Sequence, residues 1–128
     1  MIRYVFILLL WLLICIIPDQ MVLAEKDRIP EVPVPGTVTM IDLGAHSCIP
    51  CKMMAPILKD LRQEYEGKAA IVFIDLKKHP QQAKRFKLKT IPTQIFFNRQ
   101  GQEVYRHMGF LDKKSIVEKL QSLGVSKE

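Results

Sequence analysis

Asp42-Leu43-Gly44-Ala45-His46-Ser47-Cys48-Ile49-Pro50-Cys51-Lys52 is the stretch on which the reading of this chain turns. It begins inside Val38 to Gly44, a short apolar run rich in β-branched residues with glycine on both sides, which is the pattern of a buried strand; Asp42 is its one carboxylate. Beyond the cysteines, Met54, Ile57, Leu58, Leu61 and Tyr65 recur at helical spacing. Lys59, Asp60, Arg62, Gln63, Glu64 and Glu66 fall mostly on the other face before Gly67. Cys48 and Cys51 thus mark the place where a strand hands over to an amphipathic helix. Pro56 removes one hydrogen bond from that helix and crowds the carbonyl of Lys52, so a kink one turn past the cysteines is expected.

Working outward, Ala69 to Leu76 is nearly continuous in apolar residues, which suits a parallel strand covered on both faces. Pro80 opens a short helix through Phe86. Thr93 to Asn98 and Glu103 to Met108 read as strands joined by Arg99-Gln100-Gly101-Gln102, a connection of hairpin length. Asp112 caps a last helix with Ile116, Val117, Leu120 and Leu123 on its apolar face, and Gly124 stands where a C-terminal cap belongs. The sum, β-α-β-α-β-β-α, predicts an α/β fold: a small mixed sheet flanked by helices on both faces.

At the N-terminus, Arg3 precedes an apolar run from Tyr4 through Ile17, followed by Pro18-Asp19 and then Val22 and Ala24 before charged residues. This is the three-part pattern of a secretory signal over residues 1–24, with cleavage after Ala24. The alternative is an uncleaved anchor, although spanning a bilayer takes about 20 apolar residues and this run is interrupted early. Residues 25–37, with Pro30, Pro33, Pro35 and Gly36, read as a tether or an edge segment. One domain over 38–124 follows, with a tail at 125–128.

The composition, 48% hydrophobic and 25% charged, is that of a folded globule and excludes a disordered chain. A net charge of +6 and a pI near 9.3 admit an acidic partner or an anionic surface. No recognisable nucleic-acid module or interleaving of aromatic with basic residues accompanies that charge, so nucleic acid is not an expected partner. Lys77, Lys78, Lys84, Arg85, Lys87 and Lys89 form a basic cluster ahead of Pro92, either a solvated face or a surface that steers an acidic partner.

Cys15 would leave with the leader, so Cys48 and Cys51 can pair only with each other. A bridge between them closes almost no loop and offers little entropic stabilisation, which makes redox exchange the better explanation. Haem attachment needs His directly after the second cysteine, where Lys52 stands. Zinc normally needs four Cys or His ligands, and the mature chain offers this pair with the scattered His46, His79 and His107. No cofactor and no metal is expected, although His46 beside the pair leaves metal delivery as an alternative.

Cys-x-x-Cys at a strand-to-helix junction is a known cue for a thioredoxin-like redox site. Here Asp42-Leu43-Gly44-Ala45, Cys48 through Leu58, Glu64 through Lys68, Ile91-Pro92-Thr93 and Gly109 together resemble the thioredoxin family in identity, order and spacing over residues 38 to 124. The resemblance implies a thioredoxin fold with its N-terminal strand and helix shortened or absent. It also implies a protein-disulfide reductase whose catalytic residues are Cys48, Cys51 and Asp42.

Cys48, at a helix N-terminus that favours the thiolate, would attack; Cys51, one turn later and more buried, would resolve the mixed disulfide. Asp42 matches the family's buried acid and would deprotonate Cys51, its own pKa raised by desolvation. Pro92 matches the family's cis-proline, and Ile91 would offer backbone hydrogen bonds to an extended substrate, with Ile49 and Pro50 beside the reactive sulfur.

Three departures qualify the match. Ser47 replaces the usual tryptophan, Ile49 the usual glycine, and Phe73 stands where a lysine is common near the acid, which puts the proton relay in doubt. Pro50 supplies no N–H to the thiolate, which favours reductase over oxidase or isomerase. The expected partners are disulfide-containing exported proteins, met transiently by a monomer in the periplasm, and a membrane electron donor of the disulfide-reductase type. A non-catalytic thioredoxin-like binding module or metal chaperone is the alternative from another class.

Overall fold

The computed structural model describes residues 28–127. The segment 1–24, read above as a secretory signal, lies outside the described residues. Seven elements follow in chain order: β1 Thr39–Gly44, α1 Ile49–Glu64, β2 Ala70–Asp75, α2 Gln81–Arg85, β3 Thr93–Phe97, β4 Glu103–Met108 and α3 Lys113–Ser122. They form one four-stranded sheet in the order β2-β1-β3-β4, with β1 parallel to β2 and antiparallel to β3, and β3 antiparallel to β4. This is the expected mixed sheet.

β1 and β3 are central, and every residue of both is buried, which is why neither sequence alternates polar with apolar residues. Side chains leave a strand alternately to its two faces, so the sheet carries two cores. On one face Met40, Ile71 and Phe96 meet Met54, Leu58 and Leu61 of α1 and Ile116 and Leu120 of α3. On the other, Ile41, Leu43, Ile74, Ile95 and Phe97 meet Phe86, just past α2, and Val32. β4 is an edge strand, only partly covered and carrying Glu103 and Arg106, charges that discourage pairing with another chain.

Residues 28–37 make no strand. Val32 is buried among the second core, its carbonyl accepts a hydrogen bond from Arg85 Nη2 at 2.6 Å, and the Val34 N–H donates to Thr39 Oγ1 at 3.0 Å. This proline-rich stretch is therefore strapped across the α2 face. The final helix begins as expected: the Asp112 carboxylate accepts the Ser115 N–H at 3.0 Å, satisfying a donor that the first turn leaves open.

Candidate active site

β1 ends at Gly44, and three residues carry the chain to Cys48, which is the N-cap of α1 in extended conformation. The Cys48 N–H donates to the Ala45 carbonyl at 3.1 Å, and the Cys48 carbonyl accepts the Lys52 N–H at 3.0 Å, the first bond of the helix. The Cys48 side chain takes no part in capping, so its sulfur is not spent on a backbone N–H. Pro50, in the first turn, occupies a place where an N–H would have no helical partner. α1 then continues through Pro56 to Glu64.

Both cysteines are free thiols, and their surroundings differ. Cys48 is half-buried, while Cys51, one turn on, is only 4% exposed. Gly44 explains how Cys51 fits: a Cβ at that position would stand 3.0 Å from Cys51 Sγ and 3.3 Å from the Phe73 ring. The strand passes so close to the second sulfur that a side chain there would crowd it. Burial, followed by the neighbouring Cys48 thiol and the Asp42 charge, pushes the Cys51 thiol up to about 11. At neutral pH Cys51 holds its proton and needs a base to become a nucleophile.

Asp42 is fully buried on the face of β1 that α1 covers, the same face as Gly44. Burial raises its carboxyl from 3.8 to about 6, even though Gln94 and the Arg62 charge pull the other way. Gln94, directly opposite on β3, donates Nε2–H to Asp42 Oδ1 at 2.7 Å, and Asp42 Oδ2 has no hydrogen-bond partner among the described residues. One carboxylate oxygen is thus held and the other is open to exchange a proton.

The Ile91–Pro92 peptide bond is cis. β3 starts immediately afterwards, and its register pairs Thr93 with Leu43, which sets Pro92 beside the C-terminal end of β1 and the turn leading to Cys48. The Pro92 carbonyl accepts the Gly109 N–H at 2.8 Å, whereas the backbone N–H and carbonyl of Ile91 make no hydrogen bond among the described residues. Ile49 is 74% exposed beside Cys48 and Pro50 is half-buried.

Two contributors escape a reading of the sequence. Gln94 is buried in a mostly apolar strand, the signal that singles out Asp42, and it fixes the orientation of the acid. Arg62 is exposed, as its place on the polar face predicts, and it also reaches back over β2: its Nε donates to the Ile71 carbonyl at 3.1 Å. It also lines a cavity of about 180 Å³ with Cys51, Leu58 and Phe73. Its spacing held the clue, since eleven residues after Cys51 is three helical turns and hence the same side of α1. Phe73 shares that cavity and packs against the His46 ring at 5.1 Å, so the cation on this side of the acid comes from α1 instead of β2. Among the described residues no group of three or more Cys, His, Asp or Glu could hold a metal ion.

Residues 23–122 match the family model described as Thioredoxin. Similar curated proteins include the thioredoxins of Staphylococcus aureus strains Mu50, MW2 and N315. Each is 41% identical over 83 residues, a span covering 65% of this chain and 79% of the relative.

Proposed function

This chain belongs to the thioredoxin family and is a protein-disulfide reductase, and from that premise we propose that its Cys48/Cys51 dithiol reduces disulfides of exported proteins. The observation that carries the proposal is the asymmetry of the pair: Cys48 caps α1 and is half-buried, while Cys51 is buried one turn behind it. Cys48 is therefore the sulfur that a substrate disulfide reaches first, and Cys51 the one held back to finish the exchange.

The Cys48 thiolate attacks one sulfur of the substrate disulfide. A Cys48–substrate S–S bond forms, the substrate S–S bond breaks, and the departing thiolate takes a proton from solvent. Cys51 then gives its proton to Asp42, whose open Oδ2 is the acceptor, and attacks Cys48 Sγ. The Cys48–Cys51 bond forms, the mixed disulfide breaks, and the second substrate sulfur leaves as a thiolate that is protonated in turn. Two electrons pass from the dithiol to the substrate, and an external dithiol must return them to restore Cys48 and Cys51. In the proposed setting that donor sits in the membrane. The unengaged Ile91 backbone offers a short β-bridge to an extended substrate chain passing the cis bond, with Ile49 and Pro50 packing beside it.

The apolar run before Pro18 supports export to the periplasm, whether residues 1–24 are cleaved or retained as an anchor. The test is turnover of insulin disulfides by the full-length protein with dithiothreitol as electron source, together with the potential of the pair. Activity lost in Cys48→Ser and a potential near those of reducing thioredoxins are expected. A potential near those of the strongly oxidising periplasmic enzymes would reverse the assigned direction.

A further inference from the structure

The basic cluster has a placement that its sequence does not disclose. The Thr93–Met108 pairing brings the start of β3 and the end of β4 to the end of the sheet where Pro92 lies. On the α2 side of that end, Lys87, Lys89, Thr93, Arg106 and Met108 line a depression of about 280 Å³. Arg106 is committed to Glu103, with Nε–Oε1 at 2.7 Å, and to the Phe86 carbonyl at 2.9 Å, so it forms a fixed wall. The side chains of Lys87 and Lys89 are exposed and make no ion pair among the described residues. Their charge is open to a visitor.

The backbone at Lys87 adds an independent observation. Lys87 has φ +49, the only positive value outside glycine among the described residues. It directly follows the cap of α2, and the next residue, Leu88, donates back to the Ala83 carbonyl at 2.9 Å. This left-handed position after a helix is one that glycine fills without strain. A lysine therefore holds a position that glycine would fill with less strain, and its side chain lines the depression beside Thr93, the residue after Pro92.

The geometry points to a docking surface for acidic polypeptide: Lys87 and Lys89 receive Asp or Glu side chains that flank the substrate's disulfide while the adjoining backbone passes Pro92. This rests on the disulfide-exchange reading and names the substrate class of that same site. Like charges on a partner are disfavoured and opposite charges speed encounter, an effect that salt screens.

The test compares two peptides of equal length with one disulfide each, one flanked by Glu and one by Gln, reduced by the full-length protein at low and high salt. At low salt the acidic peptide reacts about tenfold faster, and the ratio collapses towards one in high salt. Lys87→Gly and Lys89→Gln lower the ratio, whereas Lys114→Gln, which makes the same charge change on α3, leaves it as it was. Lys87→Gly carries a further expectation: it relaxes the backbone, so its melting temperature holds or rises while the ratio falls. A residue with only a structural role would not separate the two readouts.

Equal rates for the two peptides overturn acidic docking and leave the reductase reading intact. No reduction of either peptide overturns both. A ratio unmoved by the lysine substitutions, with binding to phosphatidylglycerol vesicles lost instead, reassigns the surface to an anionic membrane and overturns the inference.

Discussion

Asp42 carries a cost that the fold retains for the sake of the chemistry. Its carboxyl is held to about 6 in the folded chain, whereas an unfolded aspartate releases its proton near 3.8. Folding is therefore favoured most below that lower value, and the advantage is lost as pH rises from 3.8 through 6. The loss is roughly 3 kcal/mol once Asp42 is ionised in both states. Asp42→Asn removes the titration. Its melting temperature is expected to exceed that of the wild type at pH 7.5, with the gap closing towards pH 4, while resolution of the mixed disulfide slows and loses its dependence on pH near 6. An Asp42→Asn protein no more stable than wild type at pH 7.5 would contradict the burial argument. The acid was legible in the sequence as the lone carboxylate of an apolar strand. Gln94 gives the same signal, but a neutral amide attracts less notice, and its pairing with Asp42 depends on the β1–β3 register, which no local pattern encodes. For Arg62 polarity reports the exposure correctly but not the reach towards the cavity, which depends on where β2 lies.

At the scale of elements, local chemistry decided most of the outcome. The strand and helix types, their order and the hairpin between Phe97 and Glu103 all follow from period and punctuation in the sequence, and boundaries moved by a residue or two where pairing ends. α3 illustrates why: Asp112 supplies its start, Ser115 N–H and Oγ both bond the carboxylate, and Gly124 supplies its stop at φ +80. Asp112→Ala should lower the urea midpoint modestly with an unchanged slope, and Asp112→Asn should recover much of the loss. A changed slope would point instead to altered compactness. α1 owes less to local preference. Pro56 opposes helix formation, and the helix persists because Met54, Leu58 and Leu61 are buried against the sheet. That packing presents Cys48 and Cys51 as successive turns of one element.

At the scale of the whole molecule, the strap at 28–37 is what the sequence concealed. Three prolines and a glycine between 30 and 36 constrain the backbone without saying where it goes, and only the folded sheet offers the apolar face on which Val32 settles. Val32→Ala should cost about 1–3 kcal/mol, read by denaturant titration, because it opens a cavity in the second core. A loss near zero would mean that the strap is not part of the folded unit. The two cores leave the catalytic end of the sheet held from both sides, with α1 and α3 on one face and α2 with the strap on the other, so a mobile substrate meets a fixed pair of sulfurs. The ordered use of those sulfurs is tested most directly by intact mass after mixing the reduced protein with a disulfide peptide. Cys51→Ser should accumulate one peptide adduct, mapped to Cys48, while wild type passes to the internal disulfide and Cys48→Ser captures nothing. An adduct that forms as readily on Cys51 in Cys48→Ser as on Cys48 in Cys51→Ser would contradict the assigned order of attack and resolution.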